Sequence, residues 1–102
     1  MYDYSGPSQE NLRKMLGYFN RRHNPKSAPP SKLANDVTNR SKAIDRFFIA
    51  TAMIEYFAND SDATFWAESV SREFRRRCLS LGVAEEVLFD LESYAMNYNL
   101  PY

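Results

Sequence analysis

One stretch, residues 43–58 with the sequence AIDRFFIATAMIEYFA, restricts the possible folds of this chain more than any other. Only Asp45, Arg46 and Glu55 carry charge in it. Drawn as a helix, the stretch has apolar side chains on nearly every side, and such a helix lies in the middle of a domain with neighbours on several sides. The stretch therefore predicts an all-α protein built around a hydrophobic central helix.

Three amphipathic helices are predicted around the central one, at about residues 8–22, 61–81 and 84–97. Ser8 and either Asp60 or Ser61 are the expected N-caps, and Gly82 is expected to end the second of these helices in a left-handed conformation. Apolar residues recur at helical spacing in each, which predicts one buried face. The stripes are Leu12, Met15, Leu16 and Phe19; Ala63, Trp66, Val70, Phe74, Cys78 and Leu81; and Val87, Leu88, Leu91, Tyr94, Ala95 and Tyr98.

The segment between the first helix and the central helix is harder to interpret. Residues 23–30, HNPKSAPP, hold three prolines, which predicts an extended linker. We expect a short helix at residues 32–39, with Ser31 as its N-cap and a bend before the central helix. One continuous helix over residues 32–58 fits the sequence almost as well, and Ser41 is a possible N-cap if the two are separate.

These elements predict one domain over residues 1–102, because a chain of 102 residues is long enough for a single core. It is a compact bundle of four main helices plus a short extra one, with the last three in antiparallel order because their connections are short. Residues 1–7 form an N-terminal arm, residues 23–30 the proline-rich linker and residues 99–102 a C-terminal tail.

Cysteine usage and hydropathy bear on the cellular setting. Cys78 is the only cysteine, so no disulfide can form within the chain, which favours a reducing environment. The first thirty residues lack the apolar segment of a signal peptide, and the central run is too short to span a bilayer. We therefore expect a cytoplasmic protein without membrane association.

No motif in the sequence indicates catalysis, a cofactor or a metal. His23 is the only histidine, it has no cysteine partner, and its place after the first helix is typical of a helix end. Residues 59–64, NDSDAT, suggest the start of a calcium loop, but positions six and twelve from Asp60 are Phe65 and Ser71, where Gly and Glu are needed. Glycines at 6, 17 and 82 alone allow no glycine-rich phosphate loop.

Two further groups could in principle take part in a reaction. Cys78 lies on an apolar stripe, which favours a buried structural thiol, although Arg75, Arg76 and Arg77 beside it leave a reactive thiolate as a weaker alternative. Glu86 and Asp90 are four residues apart and share a helix face, but such a pair more often lies in solvent. We expect no enzymatic activity, no cofactor and no metal.

The leading functional hypothesis is a small protein–protein interaction module that is a regulator, adaptor or inhibitor. Aromatic residues make up 15% of the chain and cluster at its ends, and tyrosine is enriched at interfaces. The module would dock a helical face or an aromatic tail onto a partner, and we expect a homodimer. The opposing interpretation is that both tails cover the core. The candidate interaction residues are Tyr2, Tyr4, Tyr94, Tyr98 and Tyr102.

The alternative hypothesis is a helical nucleic-acid-binding protein. The net charge is zero, yet residues 1–46 hold nine basic and four acidic residues, and residues 47–102 hold four and nine. A basic strip on the first and third long helices would bind phosphates. Against it, Glu68–Arg72 and Glu73–Arg77 have the spacing of intrahelical ion pairs, which leaves Arg75 and Arg76 unpaired along the helix. The candidate phosphate-binding residues are Arg21, Arg22, Lys26, Arg72, Arg75 and Arg76.

Overall fold

The computed structural model describes residues 3–101, and this part of the chain is helical without strands. The all-α prediction, with four long helices and a short extra one, is therefore confirmed. The helices are α1 (Gln9–Asn20), α2 (Pro30–Leu33), α3 (Arg40–Tyr56), α4 (Ser61–Ser80) and α5 (Glu85–Met96).

Helix α3 is the centre of the molecule, as its sequence predicts. Phe47, Phe48, Ile49 and Ala50 are at most 1% exposed. Helix α4 makes the most extensive contact with α3, while α1 and α5 also pack on it and α2 packs on α4. Burial of this much apolar surface is the dominant favourable term in folding, so α3 organises the core.

The long helices run as the short connections predict. Arg40, at the start of α3, donates from Nε and Nη2 to the carbonyl oxygen of Leu81, just after the end of α4, at 3.1 and 2.9 Å. These two helices are therefore antiparallel. The end of α5 lies beside the end of α3, where Met96 and Tyr56 line one surface cleft. Helix α5 is thus antiparallel to α4.

The predicted helix ends are confirmed at three positions. The Ser8 hydroxyl accepts a hydrogen bond from the Asn11 amide at 3.2 Å. Asp60, rather than Ser61, caps α4, accepting from the amides of Asp62 and Ala63. Gly82 follows α4 with φ +90°, a conformation that L side chains rarely adopt. These are local features, and local sequence was enough to find them.

The segment before α3 differs from the prediction. Helix α2 begins at Pro30 with Pro29 as its N-cap, so the prediction of Ser31 as the cap is wrong. Proline suits a first helical position because its fixed φ is helical and the missing N–H would have no partner there. Helix α2 ends at Leu33, so the predicted helix over residues 32–39 is wrong in its bounds. Asn39 caps α3 by accepting from the Lys42 amide at 3.1 Å. The alternatives of one continuous helix and of a Ser41 cap are therefore also wrong.

A buried carboxylate joins the N-terminal arm, α1 and α3. Asp45 is 8% exposed and accepts hydrogen bonds from the Tyr4 hydroxyl at 2.6 Å, the Ser8 amide at 3.0 Å and the Asn11 side-chain amide at 2.8 Å. A buried charge is tolerated when hydrogen bonds replace its hydration. The arm therefore folds back onto the domain at Tyr4.

Aromatic rings join α5 to α3. The Phe48 ring, which is fully buried, lies 5.0 Å from the Tyr94 ring and 5.1 Å from the Tyr98 ring, both at steep angles. The Tyr4 ring lies on the same Phe48 at 4.9 Å. Edge-to-face contacts of this kind stabilise the packing beyond the burial of ring area.

Between residues 3 and 101, no helix combines the length and apolarity needed to cross a membrane.

Candidate functional site

The predicted interaction tyrosines are divided between the core and the surface. Tyr2 and Tyr102 lie outside the described residues. Tyr4 and Tyr98 are half-buried against Phe48, whereas Tyr94 contacts the same ring and remains 43% exposed. Both ends of the chain thus cover the core at these positions, and Tyr94 alone of the three has a large exposed area.

Arg22 forms a charged link between the end of α1 and the start of α4. Its guanidinium lies 3.3 Å from the Asp60 carboxylate and 3.4 Å from that of Asp62, and it donates to the Phe19 carbonyl oxygen at 2.8 Å. The group also lies over the Phe57 ring. Because its donors already have acceptors, Arg22 is a poor candidate for binding phosphate.

The arginines of α4 do not pair as the sequence suggests. Arg77 turns toward α2 and donates to the carbonyl oxygens of Ala34 and Asn35. Glu73 therefore pairs with Arg76, at 2.8 Å. The predicted Glu73–Arg77 pair and the predicted unpaired state of Arg76 are both wrong, because a tertiary contact competes for Arg77.

The six residues of the predicted basic strip do not come together, because only Arg72, Arg75 and Arg76 share a helix, α4. Arg22 pairs with Asp60 and Asp62 at the first turn of α4. Arg72 lies ten residues beyond Asp62 on the same helix, which is about 15 Å away at 1.5 Å per residue. Lys26 is exposed in the linker after α1. Arg21 instead joins a different cluster, described next. Helix α1 packs mainly on α3, which explains why its basic residues do not align with those of α4.

A basic cleft lies between α1, α2 and α3, and we name it the α1 cleft. It has a volume of about 560 Å³ and contains four cationic side chains and one carboxylate. Apolar and aromatic groups complete its surface. The lining residues are Glu10, Arg13, Lys14, Met15, Gly17, Tyr18, Arg21, Leu33 and Arg46. Sequence reasoning noted the α1 cations but missed Arg46, because only packing places α3 beside them.

An exposed aromatic residue marks the outer surface of α5. Phe89 is 71% exposed, the most of any large apolar side chain among residues 3–101. Glu86 and Glu92 lie three residues on either side of it, Glu85 lies four before it, and Met96, 41% exposed, lies seven after it. Residues at these spacings share one helix face. We call these five residues the α5 face.

Sequence reasoning missed the α5 face, although a signal was present. The buried stripe of α5 contains Leu88, Leu91 and Ala95. A helical projection of that stripe places Phe89 on the opposite side. Phe65 of α4 is similarly exposed, at 69%, but Asp62, three residues before it, is paired with Arg22 and lies 3.1 Å from His23.

Cys78 and His23 are the side chains that the sequence offered as possible reactive groups. Cys78 is fully buried, and burial raises the pKa of its thiol to about 12. A thiol of this kind is inert rather than nucleophilic, so the prediction of a buried structural cysteine is confirmed. His23 is exposed at the end of α1, where its Nε2 faces Asp62. Within residues 3–101, no three histidine, cysteine or carboxylate side chains converge to hold a metal.

Known proteins supply no further guide to these surfaces. The chain matches no family model, no curated protein and no solved structure. The α5 face and the α1 cleft must therefore be interpreted from their own chemistry.

Proposed function

We propose that this protein is a non-enzymatic interaction module, a regulator, adaptor or inhibitor, that docks the α5 face onto another protein. The observation that supports this most is the 71% exposure of Phe89. Aromatic side chains dominate the energetics of protein interfaces when they enter a partner's pocket. The proposed place of action is the cytoplasm, because a single buried cysteine fits a reducing setting.

The charges beside Phe89 specify the chemistry of the partner. Glu85, Glu86 and Glu92 lie within one helical turn of the ring, and none makes an ion pair in the described part of the chain. The complementary surface is an apolar pocket that admits a phenyl ring and has lysine or arginine around its rim. Such charges steer the encounter and select the partner.

The same charges argue against a symmetric dimer through α5. A two-fold interface brings the same patch of both subunits together, so the glutamates of the two α5 faces would oppose one another. Like charges that meet in an interface are destabilising. We therefore propose a different protein as the occupant of the α5 face. A homodimer through Tyr94 and the C-terminal tail is a separate expectation, which light scattering on the purified protein tests.

Site-specific photo-crosslinking followed by binding measurements tests the α5 proposal. A photoreactive phenylalanine analogue replaces Phe89 in one variant and Phe65 in the matched control, since both rings are about equally exposed. The partner captured at position 89 in the native host is then purified. We expect Phe89→Ala to weaken its binding about thirtyfold, since an anchoring aromatic contributes about 2 kcal/mol.

The matched variant and salt complete the test. Phe65→Ala should leave the affinity within about twofold, and raising the salt concentration should weaken binding because rim charges are screened. Glu85→Lys with Glu86→Lys should lower the association rate. The proposal fails if position 89 captures nothing, if position 65 captures the same protein equally, or if Phe89→Ala binds like the wild type.

A further inference from the structure

The α1 cleft is lined by more cationic than anionic side chains. Arg13, Lys14, Arg21 and Arg46 contribute four cations, against the single carboxylate of Glu10. Lys14 and Glu10 are 3.7 Å apart in an exposed pair, which is a weak interaction in water. The lining of the cleft therefore has a net positive charge, which attracts anions.

Arg46 gives the cleft a fixed binding group. It is half-buried on α3, and its Nε donates to the side-chain oxygen of Asn11 at 3.3 Å. Asn11 is in turn held by the hydrogen bond that its side-chain amide donates to the Asp45 carboxylate. The neutral Asn11 side chain thus orients the Arg46 guanidinium. Burial lowers the pKa of Arg46, and the nearby Glu10 carboxylate partly opposes this shift. Within residues 3–101 the Arg46 guanidinium makes no ion pair, so an anion in the cleft would give it a charged acceptor.

Gly17 explains how Arg21 enters the cleft. A Cβ atom at position 17 would lie only 3.1 Å from Arg21 Nη1. The Arg21 guanidinium therefore lies close to the backbone of α1 at Gly17, where an added methyl group would move it by a few tenths of an ångström. Glycine inside a helix is unfavourable compared with alanine. At position 17 the glycine allows the Arg21 side chain to pack closely against α1.

The remaining surface of the cleft suits an organic group. Met15, Tyr18 and Leu33 line it beside the cations. Its volume of about 560 Å³ falls within the roughly 300–1,000 Å³ typical of small-molecule sites and exceeds what an inorganic phosphate fills. Guanidinium groups match phosphate oxygens in a two-pronged geometry. We propose that the α1 cleft binds a phosphomonoester on a compact organic body, with Arg21 and Arg46 holding the phosphate and Leu33 and Met15 contacting the body.

Nitrogen-15 NMR titration and calorimetry on the whole chain test this site, with AMP, inorganic phosphate and adenosine as probes. We expect AMP to bind with a submillimolar dissociation constant and to shift amides of residues 10–21, 33 and 46. Adenosine, which lacks the phosphate, should bind at least about tenfold more weakly. Phe89→Ala should leave AMP binding unchanged, so failure here is distinct from failure of the α5 proposal.

Three variants show whether the named groups bind the phosphate. Arg21→Gln and Arg46→Gln should each weaken AMP binding about tenfold, while Arg76→Gln, which lies outside the cleft, should change it less than about twofold. Gly17→Ala should raise the melting temperature, since alanine is the better helix former, and should weaken AMP binding less than Arg21→Gln does, because the added methyl group moves the Arg21 guanidinium by only a few tenths of an ångström. A variant that gains stability while losing affinity cannot owe the loss to unfolding.

Two results would overturn the proposal. One is no detectable binding of AMP or phosphate up to about 10 mM, weaker than any specific site. The other is binding that falls equally in Arg21→Gln, Arg46→Gln and Arg76→Gln, together with tighter binding of a single-stranded oligonucleotide. That pattern would assign the affinity to the whole basic surface and would support the nucleic-acid hypothesis instead.

Discussion

Helices α1 and α5 both pack on α3, but they are held there by different interactions. On the α1 side, Asp45 accepts three hydrogen bonds that join the arm, α1 and α3. On the α5 side, Phe48 packs against the rings of Tyr94 and Tyr98. Hydrogen bonds fix direction as well as distance, whereas hydrophobic contact is largely non-directional. The α1 side therefore adds directional hydrogen bonds to its apolar contacts, whereas the α5 side depends mainly on ring packing.

The outward surfaces of the two sides differ in a corresponding way. The α1 side has a concave basic cleft whose Arg46 is oriented through Asn11. The α5 side has an exposed ring among glutamates on the outer surface of its helix. A small anion needs charges placed at defined positions, and docking onto a protein needs an exposed anchor. We therefore propose small-ligand binding for the α1 side and partner binding for the α5 side.

The largest expected effect comes from removing the ring at the centre of the α5 side. Phe48→Ala deletes a fully buried ring and should lower the free energy of unfolding by about 3–5 kcal/mol, measured by urea denaturation. Phe48→Leu, which keeps much of the volume, should lose less than half as much and remain folded. If Phe48→Ala costs no more than the exposed Phe65→Ala, ring packing does not hold α5.

The second effect tests the polar network on the α1 side. Asp45→Ala leaves the Tyr4, Ser8 and Asn11 donors without their acceptor, and should cost about 2–3 kcal/mol in the same assay. Tyr4→Phe removes one hydrogen bond and should cost about 1 kcal/mol. In the Asp45→Ala background, Tyr4→Phe should cost almost nothing, because the interaction is already lost. Equal costs of Tyr4→Phe in both backgrounds would contradict the network.

A third effect appears in alkaline solution. Burial raises the pKa of Tyr18 from 10.0 to about 12 and that of Cys78 from 9.0 to about 12. Between pH 9 and 12 the unfolded chain loses these protons before the folded chain does, so the free energy of unfolding falls as pH rises through this range and is at its full value below it. Urea midpoints measured from pH 8 upward should decline, and Cys78→Ala should delay the onset of the decline. A flat profile in the wild type would contradict this account.

The smallest expected effect on stability is at the α5 face. Phe89→Ala should change the free energy of unfolding by no more than about 0.5 kcal/mol, because the ring is mostly in water already. If Phe89→Ala also loses partner binding, Phe89 acts in binding. Phe48, which packs between α3 and α5, acts in stability instead. A loss above about 2 kcal/mol would instead show that Phe89 packs within the domain.

The sequence by itself determined the helices and several of their ends. The nearly all-apolar run at residues 43–58 predicted the central helix. Ser8 and Asp60 correctly predicted where α1 and α4 begin, and Gly82 correctly predicted where α4 ends. These features depend on residues three or four positions apart, so helical geometry alone relates them. Local spacing was also enough to predict that Phe89 is exposed, because it lies on the side of α5 away from the buried leucines.

Only the tertiary structure decided which charges pair and which remain open. Arg77 binds the end of α2 across more than forty residues of chain, so Glu73 pairs with Arg76 instead. Arg46 enters the α1 cleft because α3 packs beside α1. A long cationic side chain reaches several acceptors of similar energy, and surface pairs differ by only about 1 kcal/mol or less. Backbone packing, which depends on the whole core, selects among them.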